Sequence, residues 1–325
     1  MTFENGQSGP DVNQQTQVIK RPKRDVNGWL VLDKPVGMTS THAVSVVKRL
    51  FAAKRAGHAG TLDPLASGCL PIALGEATKT VPFVMDGRKI YQFTVRWGEE
   101  RDTDDAEGRV VESSPARPSP EAIGALLPRF SGTIQQVPPR YSALKIEGER
   151  AYDLAREGKV VELAARPVDI HRLEIVATPD PDHTVLAAEC GKGTYVRALA
   201  RDLGRELNCF GHVVALRRTA VGGFTEECAV SLDTLQDASR TAPAEPGLAI
   251  GLLLPVEAGL AALPALVVSR ADAGRLARGQ TVLLRGRDAP MMGGFVAVSA
   301  QGALVALAEV EKGELRPRRI FNLGR

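Results

Sequence analysis

The 325-residue chain has only four cysteines, Cys69, Cys190, Cys209 and Cys228, and no two of them form a CxxC pair. That spacing gives neither a zinc site nor a disulfide framework. It points to a reducing compartment, with the thiols serving as small buried hydrophobes. No run approaches the roughly 18 apolar residues of a membrane helix. The polar N-terminus lacks the apolar core of a signal peptide, so a cytoplasmic protein is expected. Charge of one sign is scarce as well. The net charge of +3 is a mild basic excess that does not by itself establish nucleic-acid binding. There is no internal repeat. What is present is ordinary for a globular protein: 44% hydrophobic and 24% charged residues. The length suits a substantial core plus a small second domain.

The most informative stretch runs from Gly57 to Lys79, GHAGTLDPLASGCLPIALGEATK. Gly57, Gly60 and Gly68 permit backbone angles that other residues resist. Pro64 pushes Asp63 away from helical angles. Asp63 is therefore expected on a stiff, non-helical loop, with the apolar run Leu70 to Leu74 as buried anchorage. An Asp before Pro in a Gly-rich loop is usually a turn former, though a stiff loop also suits a reacting group held in fixed geometry. Local physics leaves both open.

Taken in order, residues 1–25 are polar and charged and are expected to be a disordered tail. Its basic run Lys20 to Arg24 reads as exposed. Gly28 to Asp33 reads as a buried strand. Thr39 or Ser40 can cap a helix running to about Lys54, with Ala43, Val47, Leu50 and Phe51 on one face. Tyr91 to Trp97 alternates as a half-buried strand, Tyr91, Phe93, Val95 and Trp97 sharing its core face. Ser119 caps a helix that has Pro120 at its first position and ends near Pro128. A polar, basic connection follows, with Arg140, Lys145, Arg150, Arg156 and Lys159, and a short helix near Gly148 to Glu157. Such connections are often binding loops. Strands are expected near 170–177 and 184–190, then a helix capped by Thr194 with Val196, Leu199, Leu203 and Leu207 inward. His212 to Phe224 reads as a strand and turn. Residues 237–250 form a linker. From about Leu263, short β runs, glycine turns and a helix over Ala271 to Arg278 suggest a small barrel.

Two tempting motifs fail. The acidic turn Arg101 to Asp105 is followed by Ala106 and Glu107, where a calcium loop needs a ligand and a glycine, so pairing of these carboxylates with an arginine is the simpler use. The GKGT of Gly191 to Thr194 lacks the Gly-Lys-Ser/Thr order of a phosphate loop.

The stretch around Asp63 resembles, over about twenty positions, the GHxGxLDPxAxG signature of the TruB family of tRNA pseudouridine synthases. WLVLDKPVGMTSTHAV from Trp29, KIYQFTVRWGEERDTDDAEG from Lys89, KGTYVR from Lys192 and LRRTAVGGF from Leu216 resemble its other motifs. The resemblance implies an α+β pseudouridine synthase fold around a mostly antiparallel sheet over residues 26–250. It implies an RNA-gripping insertion at about 128–160 and a PUA-like RNA-binding barrel over 263–325. It implies that Asp63 is the catalytic residue, that Tyr91 packs on the target base and that Arg197 pairs with Asp63. It also implies that Tyr195 lies by the reacting base, that Leu216 lines the base pocket, that His58 fills the place left by flipped bases, and that Lys34 lies near the site. A core aromatic and a core leucine remain compatible readings of Tyr91 and Leu216. A metal role for His58 lacks partner ligands at useful spacing.

The implied reaction converts uridine to pseudouridine in the T loop of tRNA, at position 55. It needs no cofactor, metal or redox partner, and a monomer without guide RNA is expected. A carboxylate can serve at C1′ or C6, after the base has been flipped out at a cost of a few kcal/mol. Rival readings are a non-catalytic tRNA-binding or tRNA-folding module and a guide-RNA-dependent synthase that shares GHxGTLDP. Ala59, where Thr or Ser is common, is a small departure.

Overall fold

In the computed structural model the described residues are 22–142, 145–146, 149–150, 163–241, 250–284 and 293–323. The strands are β1 (Gly28–Lys34), β2 (Ala56–His58), β3 (Ala66–Leu74), β4 (Lys89–Trp97), β5 (Glu99–Arg101), β6 (Val110–Ser113), β7 (Gly132–Gln136), β8 (Lys145–Ile146), β9 (Glu149–Arg150), β10 (Arg166–Asp180), β11 (His183–Cys190), β12 (Gly211–Val221), β13 (Phe224–Thr225), β14 (Val230–Ser231), β15 (Ala265–Val267), β16 (Val282–Leu283), β17 (Gly294–Ala300), β18 (Ala303–Glu311) and β19 (Glu314–Ile320). The helices are α1 (Ser40–Leu50), α2 (Val81–Asp86), α3 (Pro120–Leu126), α4 (Val196–Glu206), α5 (Leu232–Thr241) and α6 (Arg270–Ala277).

Ten strands form the main sheet, in the order β14-β1-β3-β12-β4-β11-β10-β7, with β2 added to β3 and β13 to β12. All its pairings are antiparallel except β1 with β14 and β3 with β12. β3 sits near the centre and is buried at eight of nine positions, which is why its second half, Leu70 to Leu74, is almost wholly apolar. The alternation of β4 is as expected: Phe93, Val95 and Trp97 are buried, joining α4 residues Leu199 and Leu203 in one core.

A second sheet, β15-β17-β18-β19-β16, has only its β15–β17 pair parallel. It curls over α6 and its own core of Leu276, Val296, Val298 and Leu315. Leu304, Leu307 and Phe321 share a separate core with Trp29, Phe224 and Val256, so the C-terminal sheet is packed onto the main one. Lys79 Nζ donates to Ile320 O across this contact at 2.7 Å.

Several boundaries differ from the sequence reading. Residues 22–25 are not a free tail. Arg24 N donates to Ala52 O at 2.8 Å and Lys54 N to Arg24 O at 3.2 Å. The helix capped by Thr39, whose side chain accepts from His42 N, ends at Leu50 rather than Lys54 because Ala52 turns to φ 48°. Tyr195, not Thr194, is the N-cap of α4; the Thr194 hydroxyl instead donates to Gly191 O. The helix expected near Gly148 to Glu157 begins in strand β9 and otherwise lies outside the described residues.

Among the three glycines of the signature, Gly57 is in strand β2 without a positive φ, whereas Gly60 and Gly68 sit at φ 101° and 97°. A Cβ on Gly68 would lie 2.3 Å from Arg218 O. Gly68→Ala is therefore expected to cost more than the usual ~1 kcal/mol of a point change, combining backbone strain with a backbone clash. Urea unfolding checks this.

Candidate active site

The loop between β2 and β3 carries Asp63. Its shape is held from three sides by main-chain and buried polar contacts. Gly37 N donates to Pro64 O at 2.8 Å, so the turn between β1 and α1 braces the loop. The buried Ser40 hydroxyl accepts from Leu62 N at 2.8 Å and lies 3.0 Å from Leu62 O. Arg218, 1% exposed, donates to Cys69 O at 2.9 Å, Gly60 O at 3.0 Å and Thr61 O at 3.4 Å. Sheet register explains this reach: Arg218 lies directly opposite Gly68 on β3 and Tyr91 on β4.

Arg197 enters from the first turn of α4. Its Nε lies 2.9 Å from Asp63 Oδ2, an ion pair rather than an aligned hydrogen bond. Its Nη1 lies 3.3 Å from Asp105 Oδ2 and donates to Thr103 O at 2.9 Å, while Nη2 donates to Tyr141 O at 2.9 Å. One turn on, Arg201 pairs with Asp104 at 3.0 Å and donates to Val137 O at 2.8 Å. The acidic turn thus serves arginines, as its failure as a calcium loop implied. Burial pushes the Asp104 carboxyl up to about 6 in spite of Arg201.

Asp63, Tyr91, Tyr195, Arg197 and Leu216 line a single cleft of about 260 Å³, together with Gly60, Lys89, Lys192 and Arg218. A roomier cleft of about 410 Å³ lies beside the acidic turn. Its central charges are already matched, Arg201 with Asp104 and Arg205 with Glu100, so the cleft of Asp63 is the stronger candidate. Burial raises the Tyr91 phenol above its ordinary range, while the adjacent Arg218 draws it back. Tyr195 is raised for the same reason, and its main chain is clamped by Gln136: Tyr195 N donates to Oε1 at 2.8 Å and Nε2 donates to Tyr195 O at 3.1 Å.

The other two expected residues do not line this cleft. Lys34 is fully buried beneath the loop, donating to Pro35 O at 3.0 Å and Met38 O at 2.7 Å. Burial pushes it down to about 8, against the attraction of Asp63. His58 is half-buried on β2, its Nδ1 without a hydrogen-bond partner among the described residues and its basicity lowered by burial. Sequence reasoning missed Ser40, Lys89, Asp105 and Arg218 as parts of the site. Strand alternation held the signal for two of them, since Lys89 shares a face with Tyr91, and Arg218 with Leu216.

This architecture, a long mixed sheet with a central aspartate loop, defines the pseudouridine synthase fold. The archaeal box H/ACA Nop10–Cbf5 complex aligns at TM-score 0.70 and 24% identity, covering 91% of this chain and 86% of the other. An H/ACA RNP bound to a substrate RNA containing 2′-deoxyuridine aligns at 0.71 and 23%, covering 91% and 85%. Residues 48–196 match the TruB family pseudouridylate synthase N-terminal domain, and residues 197–261 match the tRNA pseudouridylate synthase B C-terminal domain. The chain is 67% identical over 310 residues to tRNA pseudouridine synthase B of Bradyrhizobium diazoefficiens, covering 95% of this chain and 90% of that one. It is 56% identical over 308 residues to the Agrobacterium fabrum protein of the same name, covering 94% and 98%. The chain belongs to the TruB family of pseudouridine synthases.

Proposed function

We propose that this isomerase acts on the T-loop uridine at position 55 of tRNA, alone and without guide RNA, with Asp63 as its reacting carboxylate. Isomerisation of uridine to pseudouridine in tRNA is the activity that family membership and the close relatives support. The observation that carries the finer reading is the convergence of one carboxylate, two buried arginines and two tyrosines in one cleft. In it, Tyr91 stacks on the flipped base, a contact worth about 1–3 kcal/mol. Leu216 walls the pocket, Tyr195 flanks the reacting ring, and Arg197 holds the Asp63 carboxylate in place. His58, outside the cleft, takes the space the flipped base leaves. Lys34 supports the loop from below. The basic insertion at 128–160 and a PUA-like unit over 263–325 hold the RNA through its phosphates.

The test is an unmodified tRNA transcript carrying tritium at uridine C5, incubated with purified protein and nothing else. Tritium release mapped to the T loop is the expected result. Tight tRNA binding without release would replace this reading with a binding module or a partner-dependent synthase.

A further inference from the structure

Charge in the cleft is unevenly matched. Arg197 is shared by Asp63 and Asp105, and exposed Lys192 pairs with Asp86 at 2.6 Å. Lys89 also lines the cleft, but among the described residues no carboxylate lies within ion-pair distance of it. It is 7% exposed. Its Nζ donates to Met85 O and, at 2.6 Å, to Gly87 O, at the end of α2. An ammonium has three N–H donors, so one is left. Burial lowers its basicity, and the nearby Arg218 lowers it further. Asp86 attracts the ammonium only from beyond ion-pair distance and is itself held by Lys192, and a buried cation with no carboxylate in contact is costly to keep. Here it stands on the same face of β4 as Tyr91, two residues and thus about 7 Å along the strand.

The reaction supplies an anion at that place. Heterolysis of the N1–C1′ bond leaves its electron pair on the uracil, which becomes an anion with charge spread over N1, O2 and O4. If a carboxylate first adds at C6, the displaced π pair moves to O4 instead, and the carboxylate must leave C6 again to restore the C5–C6 double bond. The C1′–C5 bond then forms, C5 loses its proton and N1 gains one, so the net change is an isomerisation. Both routes place negative charge on the ring between the two bond changes. RNA phosphates, by contrast, remain near solvent, where Arg88 and Lys192 each have 65% of their side-chain surface exposed.

Resting on the reading above, we propose that Lys89 is a further catalytic residue, whose remaining N–H and charge stabilise the negative charge that the uracil ring carries between cleavage of C1′–N1 and formation of C1′–C5. The experiment compares Lys89→Met, Lys89→Gln and Lys89→Arg with the wild type. It measures single-turnover rates at saturating enzyme, tRNA affinity at several salt concentrations, and thermal midpoints. Wild-type turnover in the same assay tests the functional reading by itself; only the ratio of variant to wild type tests Lys89. Losing a group that meets developing charge costs about 10²–10³-fold. A fall of that size is expected for Lys89→Met and Lys89→Gln, with affinity and its salt dependence unchanged and Lys89→Arg recovering much of the rate. A wild-type rate in folded Lys89→Gln would overturn the proposal. So would weaker binding with a salt slope reduced by about one and an intact rate, which marks a phosphate contact.

Discussion

Asp63→Asn is expected to abolish tritium release, with a fall of at least about 10⁴-fold in the single-turnover rate, as for loss of a principal reacting group. The amide is nearly isosteric, and the loop is held by Gly37, Ser40 and Arg218 rather than by the Asp63 side chain. The fold should therefore survive. Asp63 is partly exposed, at 36% of its side-chain surface, so removing its charge leaves no large buried vacancy. Transfer-RNA affinity should stay within about threefold of wild type, since protein affinity for nucleic acid comes largely from phosphate contacts and Asp63 is itself an anion. A rate within about tenfold of wild type would refute the assignment of Asp63.

Arg197→Met should damage both rate and stability. Its guanidinium joins Asp63, Asp105, Thr103 O and Tyr141 O, and both it and Asp105 are almost wholly buried. Removing one partner of a buried pair leaves the other charge uncompensated, at about 3–5 kcal/mol. A comparable loss of unfolding free energy in urea is expected. Turnover should fall by about 10²-fold or more, since Asp63 loses the group that orients it. Arg197→Met/Asp105→Asn should recover much of the stability and little of the rate. Equal recovery of both would show that Arg197 acts on the fold alone.

Much of the scaffold was legible because its signals are local. Alternation placed β4. Capping residues announced the starts of α1 and α3: of Thr39 and Ser40 it is Thr39 that accepts, from His42 N, and Ser119 accepts from Ala122 N. The apolar run Leu70 to Leu74 announced buried anchorage, and it is the buried half of β3. Local signals failed where a distant partner decides the outcome. The end of α1 depends on Arg24, far back in the chain, docking on the turn after it. The cap of α4 shifted to Tyr195 because Gln136 holds that residue's main chain.

By itself, the sequence determined the family, the aspartate loop and the types of side chain beside it, because twenty adjacent positions carry that information whatever the rest of the chain does. Arg197 was expected beside that loop, but only the tertiary structure decided that Arg218 and Lys89 join it. Arg218 and Lys89 lie far apart in the chain, and cross-strand register brings Arg218 opposite Gly68 and Tyr91, and Lys89 opposite Val221. Register is set by burial of whole strand faces, a property of the assembled sheet that no single stretch contains.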